Sequence, residues 1–506
     1  MQLHAMYTWA FRLVDKPLSL SGLGLPWKQT NASGVTLENS YDDLNRIANL
    51  KYTNANNLQL ANFSYGYTGD LITNITAAQY WPGIGNRTRV RDYGYDKVNR
   101  LTSESRSAGG QMLWRRAYEY DAAGNRKKLH AFDGSSTTTL NFTYNDFNQL
   151  TSGEGLSWGE DIYPPVYDYA YDSNGNLVEQ WDSANWIDQV YQHDRHNRLT
   201  GYGGDEVLNH HYYDFSGRLL RSCDSSNEDR WTYYYYDGIN TLLTKQTSDE
   251  GNCMRTVSAY VLKAAPIGQV LQQRWYSYEY TEECDISYAT PHDTAYMYDH
   301  IGNIIGLADM SPGGATVRAA SDMEAFGKAM EGFQGLTGKD SHGGLYYFGA
   351  RWYDPGTASW VEQSPLPHFI ESPYGFAYGS PTFFVDTDGQ LAFVVPAVIG
   401  GVVGGALGYW GNRHGTPCER AAGAGCGMAS GAISGALLGG STGTLMRNVI
   451  RMVGGRPVAG ALGGAIAGGY GLICKSPCEA FVDAICGAAD ALHGHGNQTD
   501  AVLNAR

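Results

Sequence analysis

Tyr171-Asp-Ser-Asn-Gly-Asn-Leu177 is the stretch that decides how this chain folds. An Asp after an aromatic residue opens a turn, because its carboxylate can accept the backbone N–H two residues on. Gly175 stands where the turn needs a positive φ, which Gly and Asn tolerate best. Leu177 then begins a return strand. Tyr169 and Tyr171 are two apart and share one face of the incoming strand. The heptapeptide therefore reads as strand, tight turn, strand, a hairpin closed by a left-handed residue.

The unit recurs. Its aromatic–acid pair aligns with Tyr41-Asp42, Tyr95-Asp96, Tyr120-Asp121, Tyr144-Asn145, His193-Asp194, Tyr213-Asp214, Tyr236-Asp237 and Tyr298-Asp299. Three positions after the acid slot stands Gly or Asn in every copy: Asn45, Asn99, Gly124, Asn148, Gly175, Asn197, Gly217, Asn240 and Gly302. Five positions after it stands Leu or Ile, with Arg126 breaking the rule. A degenerate copy covers Tyr65–Leu71, and from Tyr95 to Tyr236 the spacing is 20 to 27 residues. One hairpin cannot bury a face by itself, so hairpins in series predict one long sheet that curls under its own twist. Propeller blades need about twice this period. The expected fold is mainly β, with hairpins wound into a curved shell or barrel-like cocoon. Aromatic rings at strand spacing pack such a sheet; the other reading of the stripe is a carbohydrate-stacking surface.

Composition agrees. The chain has 506 residues, a net charge of −15, 17% charged residues, 64 Gly and 37 Tyr. This differs from an ordinary helical or α/β enzyme, and the acidic balance argues against a nucleic-acid partner. Eight cysteines are too few for a disulfide scaffold. Cys474, Cys478 and Cys486 fit either a zinc site or buried and paired thiols. Met1–Lys16 lacks the pattern of a signal peptide, and its polar, aromatic start suggests the C-terminal piece of a longer chain. No motif implies a cofactor.

After Gly389 the composition changes. Residues 391–409, 421–446 and 457–474 are uncharged, Gly/Ala-rich runs, and Gly400, Gly404 and Gly408 make a small-residue helix face. Their lengths approach the 20 or so residues that span a bilayer, and Arg413, Arg420, Arg447 and Arg451 flank them. A membrane-inserting segment and a packed helical plug held until release both fit.

The repeat resembles the YD repeat of Rhs proteins, teneurins and insecticidal toxin-complex C subunits. Gly338-Lys-Asp-Ser-His-Gly-Gly-Leu-Tyr-Tyr-Phe-Gly-Ala-Arg-Trp-Tyr-Asp-Pro355 is similar to the Rhs repeat-associated core, and Ser372–Tyr378 with Asp386-Thr-Asp-Gly389 looks like its closing motif. The resemblance implies a lead-in over 1–36, a repeat shell over 37–295, a core over 296–390 and a variable cargo over 391–506. It implies a shell that holds its own C-terminal segment, often a toxin, for delivery to competitor or host cells. It points to a secreted or cell-surface bacterial protein, with a secretion system, an immunity protein or a target membrane as partners. A surface adhesion or carbohydrate-binding protein is the alternative. In many members the core is an aspartic autoprotease that cuts after the closing motif. Asp340 matches the first carboxylate, Ser364 replaces the second, and Gln390 marks the cleavage position; Glu362 is the nearby substitute. Arg351, Asp354, Asp386, Asp388 and Gly389 match the core motif. A serine cannot share a proton as a carboxylate does, so enzymatic activity is not expected.

Overall fold

The computed structural model describes residues 19–20, 26–30, 34–155, 165–182, 188–204, 209–223, 231–237, 240–247, 254–262, 270–280, 286–310, 314–365, 372–386, 388–390 and 392–394. Among the described residues twenty-five strands, from Ser19–Leu20 to Thr316–Ala320, join in one antiparallel sheet in which each strand pairs with its sequence neighbours. The expected β architecture is thus present. By pairing, the wall runs on to Ala320: the expected boundary at 295/296 falls inside the strand Ile286–Tyr298. The uncharged runs and the expected helices after residue 394 lie outside the described residues, as do Cys474, Cys478 and Cys486. Their first three described residues, Ala392–Val394, are a strand paired with Phe384–Asp386.

Each repeat turn is built as its sequence requires. Asp42 Oδ1 accepts the amides of Leu44 and Arg46, both at 2.9 Å, and Asn45 has φ 62°. The same geometry recurs at Asp96, Asn145, Asp172, Asp194, Asp214 and Asp299. Eight of the nine Gly/Asn slots have positive φ, from Asn197 at 61° to Gly124 at 94°; the turn at residues 238–239 is outside the described residues. A register shift beside each aromatic slot, such as Gly94/Tyr95, marks the bulge that closes the hairpin.

One slot carries chemistry that the alignment overlooked. The residue four after the acid returns to the same carboxylate: Arg46, Arg100, Arg198 and Arg218 through Nε at 2.7 Å, and Asn125, Asn176 and Asn303 through Nδ2 at 2.8 to 2.9 Å. Burial would raise the Asp194 pKa, but Arg198 and two backbone amides hold it below the usual carboxylate range. These guanidinium groups then lie over the next repeat's tyrosine, for example Arg198 at 4.8 Å from the Tyr213 ring. That tyrosine donates backwards: Tyr213 to Leu199 O at 2.6 Å, Tyr120 to Leu101 O at 2.7 Å, Tyr236 to Leu219 O at 2.7 Å. Consecutive hairpins are therefore stitched together by side chains as well as by backbone pairing.

The sheet curls. Its early strands face its late ones: Phe63, Ile75 and Trp81 share a core with Met297, Ile305 and Val317, and Tyr52 bonds both the amide and the carbonyl of Tyr298. The chain after Ala320 enters the space on the inner face. Its short strands, Asp322–Met323, Ala329–Glu331, Ser341–His342, Leu345–Tyr347, Trp352–Asp354 and Ser359–Trp360, form small sheets of their own. Tyr346, Trp352, Tyr353 and Phe376 pack there against Leu101, Leu199 and Tyr202 of the wall.

Candidate functional site

The interior plug is fixed to the wall by buried charge. Asp322, at 2% exposure, receives Arg89 Nη1 at 2.6 Å, Arg91 Nη2 at 3.2 Å and Arg106 Nη1. Glu324 receives Arg116 Nε at 2.7 Å, and Glu104 Oε2 receives the Ala325 amide at 2.9 Å. Burial, with Glu324 nearby, pushes Glu104 up to about 7. Burial, reinforced by Arg91 and Arg89, lowers the Arg106 pKa well below its usual value. Removing one partner from such a network leaves an uncompensated charge in a low-dielectric site.

Arg126, the residue that broke the repeat pattern, is part of the same attachment. Its Nη2 donates to Gly356 O at 3.3 Å and Thr357 O at 2.8 Å, and its guanidinium lies over Phe142 and Phe326. The exception in the wall thus marks a contact with the plug. His342, in the resembling core segment, plays the reciprocal part: its Nε2 meets Tyr234 Oη at 3.1 Å, and Tyr202 donates to its carbonyl.

The closing motif is held as a knot. Asp386 Oδ1 accepts Asp388 N at 3.1 Å and Gly389 N at 2.8 Å. Arg351 is 5% exposed; its Nε donates to Gly389 O at 2.6 Å, its Nη1 to Pro373 O at 3.2 Å, and its Nη2 lies 3.5 Å from Asp386 Oδ2. Its guanidinium lies 3.9 Å over Trp360. Burial raises the Asp386 pKa and Arg351 opposes it. Gly389 has φ +76°, and a Cβ there would stand 3.0 Å from Arg351 N, so any other residue would be strained. Asp388 O accepts Ala350 N at 2.9 Å, and Asp388 Oδ1 accepts Gln390 N at 3.1 Å. The structure therefore brings together Arg351, Asp386, Asp388, Gly389 and Gln390.

Asp354 is a turn cap, accepting Gly356 N and Thr357 Oγ1, each at 2.8 Å. Asp340 is exposed and lines a depression with Tyr296, Tyr298 and Lys339. Ser364 donates its amide to Pro373 O at 3.1 Å. Glu362 is buried and accepts Trp352 N at 2.8 Å. Burial pushes it up to about 8, against the pull of that amide and of Arg351. Its other oxygen is 3.9 Å from Nε2 of His193, whose pKa burial lowers to about 4. His193 fills an aromatic slot of the repeat, so its place beside Glu362 was hidden by its fit to the pattern. Among the described residues no group of three His, Cys, Asp or Glu is placed to hold a metal, and no helix is long and apolar enough to cross a membrane.

No family model matches the chain. The salivary gland surface protein 1 of Aedes aegypti is 28% identical over 212 residues, covering 39% of this chain and 6% of that protein. The crystal structure of TcdB2-TccC3-Cdc42 shares the fold, with a TM-score of 0.53, 15% identity, and coverage of 74% of this chain and 19% of that one. The Photorhabdus luminescens Tc holotoxin pore aligns over 76% of this chain and 22% of that one, with a TM-score of 0.38 and 15% identity. The chain thus spans about a fifth of the length of these solved structures and a small part of the mosquito protein.

Proposed function

We propose that this chain is an Rhs-type shell protein that holds its own C-terminal segment, residues 391–506, as cargo for delivery to another cell. The observation that supports this best is a 25-strand sheet curled around its own downstream chain and locked to it by buried charge. A carrier needs such a wall. An ordinary binding module does not. The resemblance of residues 338–355 to the Rhs core, and the fold shared with TcdB2-TccC3-Cdc42, support the same reading. They also support secretion from a bacterial cell, with a target membrane or an immunity protein as the later partner. The cargo reading is membrane-active, from the uncharged runs over 391–409, 421–446 and 457–474.

In this reading the cargo stays joined to the shell. Ser364 stands at the position of the second carboxylate, and Glu362 is engaged by Trp352 N. The decisive experiment compares induced expression of the full chain with that of residues 391–506 in a bacterial host, with intact mass measured in parallel. Growth arrest by the segment and not by the intact full chain is expected. Harmless expression of the segment would overturn the cargo reading, and a fragment ending at Gln390 would overturn the uncut shell.

The adhesive reading draws on Tyr212 and Tyr235, which stand exposed on neighbouring parts of the sheet. Glycan-array binding that is lost on Tyr212→Ala and Tyr235→Ala would favour it.

A further inference from the structure

Arg221 is held differently from the arginines of the repeat turns. Its guanidinium lies 4.2 Å over the Tyr212 ring and 4.4 Å over the Trp231 ring. Arg46, Arg100, Arg198 and Arg218 also lie over rings, but each is paired with the carboxylate of its own turn. Among the described residues Arg221 has no carboxylate or carbonyl partner, so rings alone position it and its N–H donors stay available. Lys245 repeats the arrangement: its Nζ lies 5.3 Å over the Tyr235 ring, and among the described residues no acid pairs with it.

Register places these groups in one row. Tyr212 pairs with Arg221, Arg221 with Tyr233, and Tyr233 with Lys245, across the strands Asn209–Tyr213, Leu219–Cys223, Trp231–Asp237 and Asn240–Thr247. Paired residues share a face of the sheet, so the order is ring, cation, ring, cation. At about 4.8 Å per strand the two cations stand about 10 Å apart. The row is on the outer face: the alternate residues His211 and Tyr234 turn inwards, to Trp352 and His342 of the plug. Tyr212 and Tyr235 are exposed there, and the Trp231 ring lies 5.6 Å from that of Tyr212. The four strands hold one acid, Asp237 at a strand end, in a chain whose net charge is −15.

Cations that alternate with rings in a straight row call for a linear ligand in which anions alternate with apolar faces. A DNA strand brings a phosphate every ~3.4 Å of axis, so two cations that far apart would leave most of its charges facing an acidic chain. The sequence between the strands adds Asp224, Glu228, Asp229, Asp249 and Glu250, which opposes any densely charged polymer. A glycan with a uronate at every second sugar meets both demands. Its pyranose rings present C–H faces to aromatic side chains, and its carboxylates match guanidinium and ammonium groups. The neutral sugars keep its charges apart. We propose that this row binds such an acidic glycan, with Arg221 and Lys245 on successive carboxylates and Tyr233 beneath the neutral sugar between them. The inference rests on the adhesive reading and names the class of glycan that reading leaves open.

The test uses the full chain and calorimetric titration with a hyaluronan hexasaccharide, in which uronates alternate with neutral N-acetylglucosamine. Neutral chitohexaose, hexagalacturonate with a carboxylate on every sugar, oligo(dT) and a polyglutamate peptide are titrated in parallel. Saturable hyaluronan binding at or below about 1 mM is expected, with each of the others at least about tenfold weaker. Arg221→Gln should weaken hyaluronan about tenfold and leave chitohexaose unchanged. Lys245→Gln should act in the same direction, and Arg221→Lys should keep part of the affinity because it keeps the charge. Each variant's melting temperature is measured alongside; both cations lie on the outer face, and the fold is expected to survive. Equal binding of chitohexaose and hyaluronan would overturn the acidic preference and leave the adhesive reading standing, whereas failure of every sugar to bind would overturn both. Tighter binding of hexagalacturonate, oligo(dT) or polyglutamate, or an unchanged hyaluronan affinity in folded Arg221→Gln, would overturn the site.

Discussion

The wall and the plug use the same residue types to opposite ends. In the wall an Arg–Asp pair closes one turn: Arg218 and Asp214 are four residues apart and partly open to solvent, with side chains 33% and 16% exposed. In the plug Asp322 gathers Arg89, Arg91 and Arg106 from more than 200 residues upstream, and its side chain is 3% exposed. The wall's pairs are local, repeated and individually weak. The plug's are distant, single and buried, where loss of one partner strands the others. Repetition makes the wall robust, because one faulty hairpin is still held by its two neighbours. The plug has no such redundancy.

The sharpest way to break this comparison is to make the same change in both places. Asp322→Asn keeps the shape and removes the charge that three guanidinium groups share. It is expected to cost about 3–5 kcal/mol in urea unfolding. Asp214→Asn in the wall removes a carboxylate from the same kind of pair and should cost under about 1 kcal/mol. Equal costs at the two sites would show that the plug is not what holds the curled form closed.

This contrast also explains what could be read from the sequence. The hairpin unit was legible because its requirements are local: Asp172 needs an amide two residues on, and Gly175 needs a positive φ. Even the overlooked slot was present in the alignment as Arg46, Asn125, Asn176 and Arg218; it went unread because Arg and Asn look unlike until both are seen to reach one carboxylate. The knot around Gly389 was half legible. The motif named Arg351, Asp386 and Asp388, but that Arg351 grips the Gly389 carbonyl depends on a turn 38 residues away in sequence. The approach of His193 to within 3.9 Å of Glu362 was not legible at all. It joins a repeat slot to a core segment, and nothing in either stretch signals the other.

Arg126 supplies a second comparison, between pattern and structure. By the repeat's rule a leucine belongs there, as at Leu101 and Leu150, and Arg126→Leu would perfect the unit. The structure gives the opposite result, because Gly356 O and Thr357 O would lose their donor. A loss of about 1 kcal/mol in urea unfolding is expected, being the loss of two part-buried hydrogen bonds from a charged donor less the gain from an extra leucine. A stabilised Arg126→Leu chain would mean that the wall sets its own stability without the plug.

The narrowest effect is the most specific to the junction between the two regions. Burial raises the Glu362 pKa from 4.5 to about 8, so the folded chain keeps this proton over a range in which the unfolded chain has released it. Its contribution is complete below pH 4.5 and declines as pH rises, levelling off above 8. His193 acts in the other direction, since burial lowers its pKa from 6.5 to about 4 and the folded chain resists its protonation below 6.5. Above pH 6.5 the unfolded His193 loses its remaining charge, an opposing gain of about 0.4 kcal/mol that is nearly complete by about pH 7.5; Glu104, at about 7, contributes only to the lower part of the window from pH 6.5 to 8. Unfolding free energy should therefore fall by about 1–2 kcal/mol from pH 6.5 to 8. Glu362→Gln keeps an acceptor for Trp352 N and has no proton to lose, so its profile should be flatter, most clearly between pH 7 and 8. A variant as steep as the parent chain over that last unit would place the titrating group elsewhere and separate Glu362 from the wall–plug junction.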